Sequence, residues 1–219
     1  LLCHCYHQIK LADCTPFVLF LSAFAILLYK LTQQTTIVVG TMTTGRDKSE
    51  LEELIGVFVN TVPLVVHINP EMSIGNLMQH VKEVTVSAIN NQEYPFMDMV
   101  RDMNYKRQPG RNPIFDVSFN YISNLQEANE FDDIRIHFRN HQIYETVGDL
   151  HIQMTETGSS IFIQLFYSTN LFKESTIADI KEKYFRILEQ LEVSTSIKDI
   201  VTRDAAISEN IENRLGRKL

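Results

Sequence analysis

The chain has 219 residues, of which 44% are hydrophobic and 10% aromatic, enough to build the core of one large domain or two small ones. Its formal net charge of -7 has the wrong sign for a phosphate backbone, which argues against nucleic acid as a partner. The apolar stretch from Phe17 to Tyr29 is shorter than the roughly 18 to 20 residues of a membrane span. We therefore interpret it as a buried helix and expect no membrane association. Three cysteines give no disulfide framework, so we expect a cytoplasmic protein.

Three helices are predicted from capping residues and apolar periodicity. Thr15 and Pro16 are typical of a helix start, and the run to about Thr32 is apolar on all sides, which indicates a buried helix. Ser73 is predicted to cap a second helix and Ser175 a last one. The second helix has the apolar stripe Ile74, Leu77, Met78, Val81, Val84 and Ala88. The last has the stripe Ile177, Ile180, Tyr184, Ile187, Leu188 and Leu191.

Five strands are predicted from β-branched runs and alternating apolar residues, at residues 37–39, 62–68, 115–121, 150–154 and 160–168. Gly40 is expected to close the first strand. The turn at Gly158 predicts an antiparallel hairpin between the last two strands. Together these elements predict an α+β fold, a layered α/β sandwich with a mixed, largely antiparallel sheet.

Two motifs of common functional sites are present only in part. Gly40 and Gly45 have the spacing of a phosphate-binding loop, but Arg46 and Asp47 stand where that loop needs Lys and Ser or Thr. The residues around Cys3 and Cys5 offer soft ligands, but a C-x-C pair does not have the spacing that zinc sites favour. We therefore expect neither a nucleotide nor a metal to bind.

No histidine lies in a recognisable catalytic motif. His137, His141 and His151 fall in or beside predicted strands, where a solvent-facing imidazole is the ordinary interpretation and a catalytic base is the alternative.

Polar residues interrupt apolar runs at three places and are the candidate site residues. Burying a polar group costs free energy unless it is hydrogen-bonded or contacts a ligand. By composition alone, a loop cap and a functional group remain equally open interpretations. The candidates are Asn60, Thr61, Gln92, Tyr94, Arg111 and Asn112.

The order of four sequence boxes resembles the second half of the condensation domain of nonribosomal peptide synthetases. Met97 stands where the family usually has Glu, and the forms IGVFVNT at residues 55–61 and RNPIFD at 111–116 favour condensation over the related epimerisation domains. The boxes are GTMTTGR at residues 40–46 with LEELIGVFVNT at 51–61, QEYPF at 92–96, RNPIFDV at 111–117, and DL at 149–150 with a closing YSTNLF at 167–172. The resemblance covers residues 15–200, preceded by an unmatched leader at residues 1–14 and followed by a linker or tail at 201–219.

The resemblance implies one lobe of a chloramphenicol-acetyltransferase-like pseudo-dimer, here the C-terminal lobe. In such domains an aminoacyl amine attacks an upstream acyl or peptidyl thioester in a tunnel between two lobes, and the HHxxxDG motif lies in the first lobe. That motif is absent from these 219 residues, so we expect no catalytic residue here and no activity of the chain alone. The six candidate residues would then lie on the tunnel side or act structurally.

The same resemblance implies partners and carriers. Substrates would arrive on the 4'-phosphopantetheine of peptidyl carrier proteins, with no cofactor bound directly by this chain. The N-terminal lobe and an adenylation domain would be its neighbours, and an uncovered lobe interface would favour self-association. Two alternatives stay open: a stand-alone lobe that binds a carrier protein or partner lobe without chemistry, and a small acyl-CoA transferase with His151 as its base.

Overall fold

The protein is described by a computed structural model covering residues 1–46, 48–105, 111–123, 130–131, 134–135, 148–158 and 160–202. The helices are α1 (Leu2–Leu11), α2 (Pro16–Thr32), α3 (Ser49–Glu52), α4 (Ile74–Asn90), α5 (Phe96–Asp102) and α6 (Glu174–Gln190), with a short 3₁₀ helix at Ile197–Asp199. The strands are β1 (Thr36–Thr43), β2 (Asn60–His67), β3 (Val117–Ile122), β4 (Glu130–Phe131), β5 (Ile134–Arg135), β6 (Leu150–Thr157) and β7 (Ser160–Tyr167).

The main sheet has five strands in the order β2-β1-β3-β6-β7, and β4 pairs with β5 separately. β1 pairs with β2, and β6 with β7, in antiparallel fashion, whereas the β1–β3 and β3–β6 pairings are parallel. The predicted α+β sandwich with a mixed sheet is therefore confirmed. Its parallel share is larger than expected, because alternation along a strand does not reveal the direction of the strand that will pair with it.

Helix α2 is the centre of the core. Residues 18–28 are all buried, and the helix packs against α1, α4, α6 and the strands β1 and β3. The predicted start is confirmed, since Thr15 Oγ1 accepts a hydrogen bond of 3.3 Å from the Val18 N–H. Helix α2 ends at Gln33, whose backbone has a φ of 58° and so is in the left-handed conformation. The predicted cap of α4 is also confirmed, with Ser73 Oγ accepting from the Asn76 N–H at 3.2 Å.

Among the described residues no single helix is long and apolar enough to cross a membrane. The helices α1 and α2 meet that criterion only when taken as a pair, which is bent by 103°.

Three buried hydroxyl groups on or against α2 are hydrogen-bonded. Ser22 Oγ donates to the Val18 carbonyl at 2.7 Å, and Thr32 Oγ1 donates to the Leu28 carbonyl at 2.8 Å. From α6, Tyr184 OH donates to the Phe20 carbonyl at 3.0 Å. Burial raises the pKa of Tyr184 well above its usual value, so this phenol stays a neutral donor.

Helix α1 lies within residues 1–14, which were predicted to be an unmatched leader. Cys5 is buried, and Gln8 Oε1 accepts a hydrogen bond of 3.1 Å from the Val193 N–H beyond α6. On its outer side, Tyr6 OH donates to Glu156 on β6 at 2.9 Å. Residues 2–11 are thus a packed part of the fold.

Several predicted element boundaries differ from the observed ones, and two of the differences have a clear physical cause. β1 does not stop at Gly40 but continues to Thr43, because Gly40 serves close packing here instead of a turn. Helix α6 begins at Glu174 with Lys173 as its N-cap, so Ser175 lies inside the first turn and does not cap it. A capping side chain is favoured at a helix start, but its absence does not prevent one when the apolar stripe is well packed.

Gly40 is expected to be intolerant of a side chain. A Cβ at this position would overlap ring atoms of Phe115, which lies against the strand. Gly40→Ala should therefore lower the free energy of unfolding by about 1–3 kcal/mol, as overpacking does. Urea denaturation measures this change.

Gly158→Ala is the matched control for that experiment. Gly158 has φ +55° and no atom within 4 Å of an added Cβ, so only backbone strain of about 1 kcal/mol is expected. A loss for Gly40→Ala no greater than for Gly158→Ala would contradict the packing argument.

Candidate functional site

A cavity of about 700 Å³ lies where the end of β1, the start of β2, the second half of α4 and β3 meet. We call it the β1–β2 cavity. Its walls expose more apolar than polar surface, about half of the lining residues are neutral and polar, and none of the described lining residues is charged. The lining residues are Phe17, Thr41, Met42, Thr43, Thr44, Val59, Val62, Leu64, Thr85, Ala88, Ile89, Gln92, Asn120, Tyr121, Ile122, Ser123 and Gln153.

Asn60 organises the mouth of this cavity. Its amide Nδ2 donates to the carbonyls of Gln92 and Tyr94 at 2.8 and 2.9 Å. Its Oδ1 accepts from the N–H groups of Thr61 and Phe96 at 2.9 and 3.3 Å. One side chain therefore joins the start of β2 to the turn between α4 and α5.

The structure brings four of the predicted site residues together, since Asn60 bonds to the backbone of Thr61, Gln92 and Tyr94. The Gln92 side chain lines the β1–β2 cavity. The Tyr94 hydroxyl points elsewhere and donates to the Asp102 carboxylate, and this hydrogen bond raises the pKa of Tyr94 and lowers the pKa of Asp102. Gln92 thus lines the cavity, Asn60 holds the backbone beside it, and Tyr94 is bonded to the last residue of α5.

Arg46 holds the loop that precedes this cluster. Its guanidinium donates to the backbone carbonyls of Leu51, Glu52 and Gly56 and lies 4.4 Å from the ring centroid of Phe58. Arg46, which stands where a phosphate-binding loop needs Lys, therefore has a structural role. It fixes residues 54–59, a segment in which Leu54, Ile55, Val57 and Val59 are all exposed.

Arg111 and Asn112 form a second cluster at the other end of β1. The Arg111 guanidinium makes a two-point ion pair with the buried carboxylate of Asp116, and that hydrogen bond raises the pKa of Arg111. Asn112 Nδ2 is buried with no hydrogen-bond partner among the described residues. A cavity of about 270 Å³ beside this cluster is lined by Thr36 and Ile37, roughly 20 Å along β1 from Thr43 at the rise of an extended strand.

His151 lies on β6 beside β3. Its Nδ1 is 2.9 Å from Ser118 Oγ, and its ring stacks on Phe166 with centroids 5.6 Å apart. Burial lowers the pKa of His151 below the usual value of 6.5. The other two histidines considered from the sequence, His137 and His141, lie outside the described residues.

Thr41, Thr85 and Asn120 line the cavity but were missed by sequence reasoning. Asn120 Oδ1 accepts from Thr41 Oγ1 at 3.3 Å and from the Met42 N–H at 3.0 Å, so it ties β3 to β1. Polar residues at buried positions of the β3 and α4 patterns were the available signal. Within the described part of the chain, no group of three His, Cys, Asp or Glu side chains is arranged to hold a metal ion.

The five-stranded mixed sheet with its packed helices defines a recognisable class of fold. The family model described as "Condensation domain" matches residues 9–202 of the chain. The chain therefore belongs to the condensation domain family.

Two relatives show the same membership by sequence. The chain is 36% identical over 193 residues to bacitracin synthase 1 of Bacillus licheniformis. The aligned region covers 86% of this chain and 4% of that protein. It is 33% identical over 175 residues to surfactin synthase subunit 1 of Bacillus subtilis (strain 168), covering 80% of this chain and 5% of the relative. The chain thus spans only a small part of the length of these synthases.

Solved structures share the fold at lower identity. A four-domain nonribosomal peptide synthetase bound to AMP and glycine matches 93% of this chain and 17% of its own, with a TM-score of 0.84 and 20% identity. The X-domain from teicoplanin biosynthesis matches 90% of this chain and 46% of its own, with a TM-score of 0.81 and 21% identity. The first condensation domain of the calcium-dependent antibiotic synthetase matches 90% of this chain and 43% of its own, with a TM-score of 0.75 and 16% identity.

Asn60→Ala is expected to loosen the mouth of the β1–β2 cavity. The change removes four hydrogen bonds and leaves two backbone carbonyls without their donor, which should lower the free energy of unfolding by about 1–3 kcal/mol. Asn91→Ala is the control, because Asn91 makes one exposed hydrogen bond, to the Ser87 carbonyl. Equal losses in urea denaturation would show that Asn60 has no organising role.

His151 is expected to make stability depend on pH. Its pKa is lowered in the folded state, so the unfolded chain binds more protons near the ordinary pKa of about 6.5. Stability should fall as the pH drops from about 7 towards 5, and His151→Gln should reduce that fall. Thermal unfolding across this range measures it, with the exposed His7→Gln as control. Parallel pH curves for wild type and His151→Gln would refute the assignment.

Proposed function

We propose that this chain is the C-terminal lobe of a peptide-bond-forming condensation domain of a nonribosomal peptide synthetase. In the reaction, the amine nitrogen of an aminoacyl thioester attacks the carbonyl carbon of an upstream acyl or peptidyl thioester. The carbon–sulfur bond breaks, the thiol leaves, and the amine gives up a proton. The chain would form one wall of the tunnel in which this exchange occurs.

The exposed apolar segment at residues 54–59 carries the proposal. Ile55 and Val57 are almost fully exposed, at 105% and 95%. Contiguous apolar surface of this kind marks an interface, and Arg46 anchors this one by donating to the Gly56 carbonyl and packing over the Phe58 ring. A segment that is fixed and apolar yet uncovered suits a surface that a second lobe covers.

The extent of the structural matches supports the assignment to one lobe. The chain corresponds to 43% of the solved condensation domain chain and 46% of the X-domain chain, while 90% of this chain is matched in both cases. A chain that fits whole onto less than half of these structures is the size expected of one half of a pseudo-dimer.

The proposed roles of this chain are binding and positioning. The sequence contains no HHxxxDG motif, so the group that takes the proton from the amine would come from the N-terminal lobe. Asn60 and Gln92 would shape the tunnel mouth, whereas the ion pair of Arg111 with Asp116 would be structural. Substrates would be held on the 4'-phosphopantetheine of carrier proteins, with an adenylation domain adjacent.

A lobe complementation experiment tests the proposal. The chain is mixed with an N-terminal lobe carrying HHxxxDG, and association and peptide formation on loaded carrier proteins are measured. We expect association and, from this chain alone, no peptide. A variant with Ile55→Ser and Val57→Ser should weaken association at least tenfold, since each exposed apolar side chain buried is worth about 1–2 kcal/mol. It should also reduce self-association in light scattering.

Val86→Ser is the matched control, because Val86 is an exposed apolar residue on α4 outside the 54–59 segment. Peptide formation by this chain alone, or no association of the lobes, would overturn the proposal. Binding of the carrier protein without peptide formation by the combined lobes would favour the alternative of a catalytically inactive binding module.

A further inference from the structure

Strand β7 is an outer strand of the main sheet and lacks the features that usually protect such strands. β6 lies on one side of it, and no described strand pairs with its other edge. Its sequence, SIFIQLFY, contains no charged residue, no proline and no glycine. An unpaired edge of this composition is a surface to which another chain can add a strand.

The strand at the opposite edge of the sheet is protected. β2 contains Pro63, which has no N–H to donate, and α5 packs against this strand. The exposed apolar segment at residues 54–59 leads directly into β2, which is separated from β7 by β1, β3 and β6. Association through β7 would therefore use a different surface from the one assigned above to a second lobe.

The hairpin of β7 with β6 determines which backbone groups of β7 reach the open edge. Thr157 pairs with Ser160 across a two-residue turn, and the residues that flank such a turn form a hydrogen-bonded pair. Every second residue from Ser160 therefore turns its N–H and C=O groups towards β6. The alternate residues turn theirs to the open edge, and these are Ile161, Ile163, Leu165 and Tyr167.

The side chains of β7 alternate between the two faces of the sheet. Those of Ile161, Ile163, Leu165 and Tyr167 pack against the hydrophobic core. The aromatic rings of Phe162 and Phe166 lie on the opposite face, where Phe162 is 54% exposed and Phe166 stacks on His151. The open edge is thus apolar on both faces.

The sequence of β7 is nearly the same in both directions. Residues 162–166 are F-I-Q-L-F, with Gln164 at the centre. A two-fold axis at Gln164 would place Phe162 opposite Phe166 of the partner subunit, and Ile163 opposite Leu165 of the partner subunit. Such cross-strand pairs stabilise antiparallel strands. A strand that is complementary to itself favours a second copy of this chain over an unrelated strand.

We propose that β7 pairs antiparallel with β7 of a second copy of this chain, about a two-fold axis at Gln164, so that the two sheets become one. Ile163 and Leu165 of the partner subunit then exchange backbone hydrogen bonds, and symmetry repeats this contact. Gln164 lies opposite Gln164 of the partner subunit in a non-hydrogen-bonded pair, with Cα atoms about 4.5 Å apart. This inference does not depend on the proposed function.

Disulfide cross-linking tests the register of this pairing. The full chain with Gln164→Cys is oxidised, and we expect a covalent dimer because Cα atoms about 4.5 Å apart permit a disulfide. Residues 140–173 form one tryptic peptide without a native cysteine. Mass spectrometry can therefore identify this peptide linked to itself.

Phe162→Cys is the matched control for the cross-link. Phe162 lies on the same strand and face and is 54% exposed, but the two copies of residue 162 would be about 14 Å apart along the paired strands. Its cross-link should therefore be far weaker. No cross-link through Gln164→Cys, or an equal one through Phe162→Cys, would overturn the inference.

A charge at the two-fold axis tests the association itself. Gln164→Lys places two like charges opposite each other, so the dissociation constant of the dimer should rise at least about tenfold. Gln153→Lys is the matched control, because Gln153 pairs with Gln164 from β6 and is one strand further from the axis. It should leave the dissociation constant unchanged.

Both lysine variants are made in the Ile55→Ser, Val57→Ser background and compared by sedimentation, so that association through residues 54–59 does not contribute. Equal dissociation constants for the two variants, or a background chain that stays monomeric at millimolar concentration, would contradict the pairing. These outcomes are independent of lobe complementation, so failure of the proposed function is recognised separately.

Discussion

The fold depends on the burial of one helix on every side. Helix α2 has no polar face, so it cannot lie on a surface, and every other layer is placed by the need to cover it. α4 and α6 flank it, α1 packs against it, and the sheet lies beneath it. Phe24 and Phe17 pack against the ring of Phe119, with centroids 6.2 and 5.5 Å apart, which joins the helix to the central strand β3.

The candidate site grows out of the same arrangement. The β1–β2 cavity opens where α4 leaves the sheet, and Phe17 at the start of α2 forms part of its wall. Asn60 then ties the start of β2 to the turn after α4, and Arg46 ties the loop after β1 to α3 and to Gly56, in each case by donating to backbone carbonyls. The rigid core therefore positions a site whose edges are held by two side chains.

The sequence predicted well what is locally determined. The starts of α2 and α4 were found because a capping side chain and an apolar stripe lie within a few residues of each other, at Thr15 and Ser73. The strand order could not be predicted, since the β1–β3 pairing joins residues far apart in the chain. The prediction that Gly40 closes the first strand is wrong because the residue against which it packs, Phe115, is remote in sequence.

The site was predicted only in part for the same reason. Asn60 and Gln92 were found as polar residues in apolar runs, and they do meet. Arg111 belongs to a different end of β1, which linear order does not show. Thr85 was missed because a threonine in a helix usually bonds its own backbone, and only the three-dimensional arrangement shows that this one does not.

The contact between Tyr184 and Phe20 has a consequence for synthesis of the chain on the ribosome. The two residues are 164 positions apart, and at 5–20 residues per second the later one is made roughly 10 to 30 seconds after the earlier. Through that interval the side of α2 that α6 will cover stays exposed in a growing polypeptide. During that interval the nascent chain therefore exposes an apolar helix, and chaperones are expected to bind it.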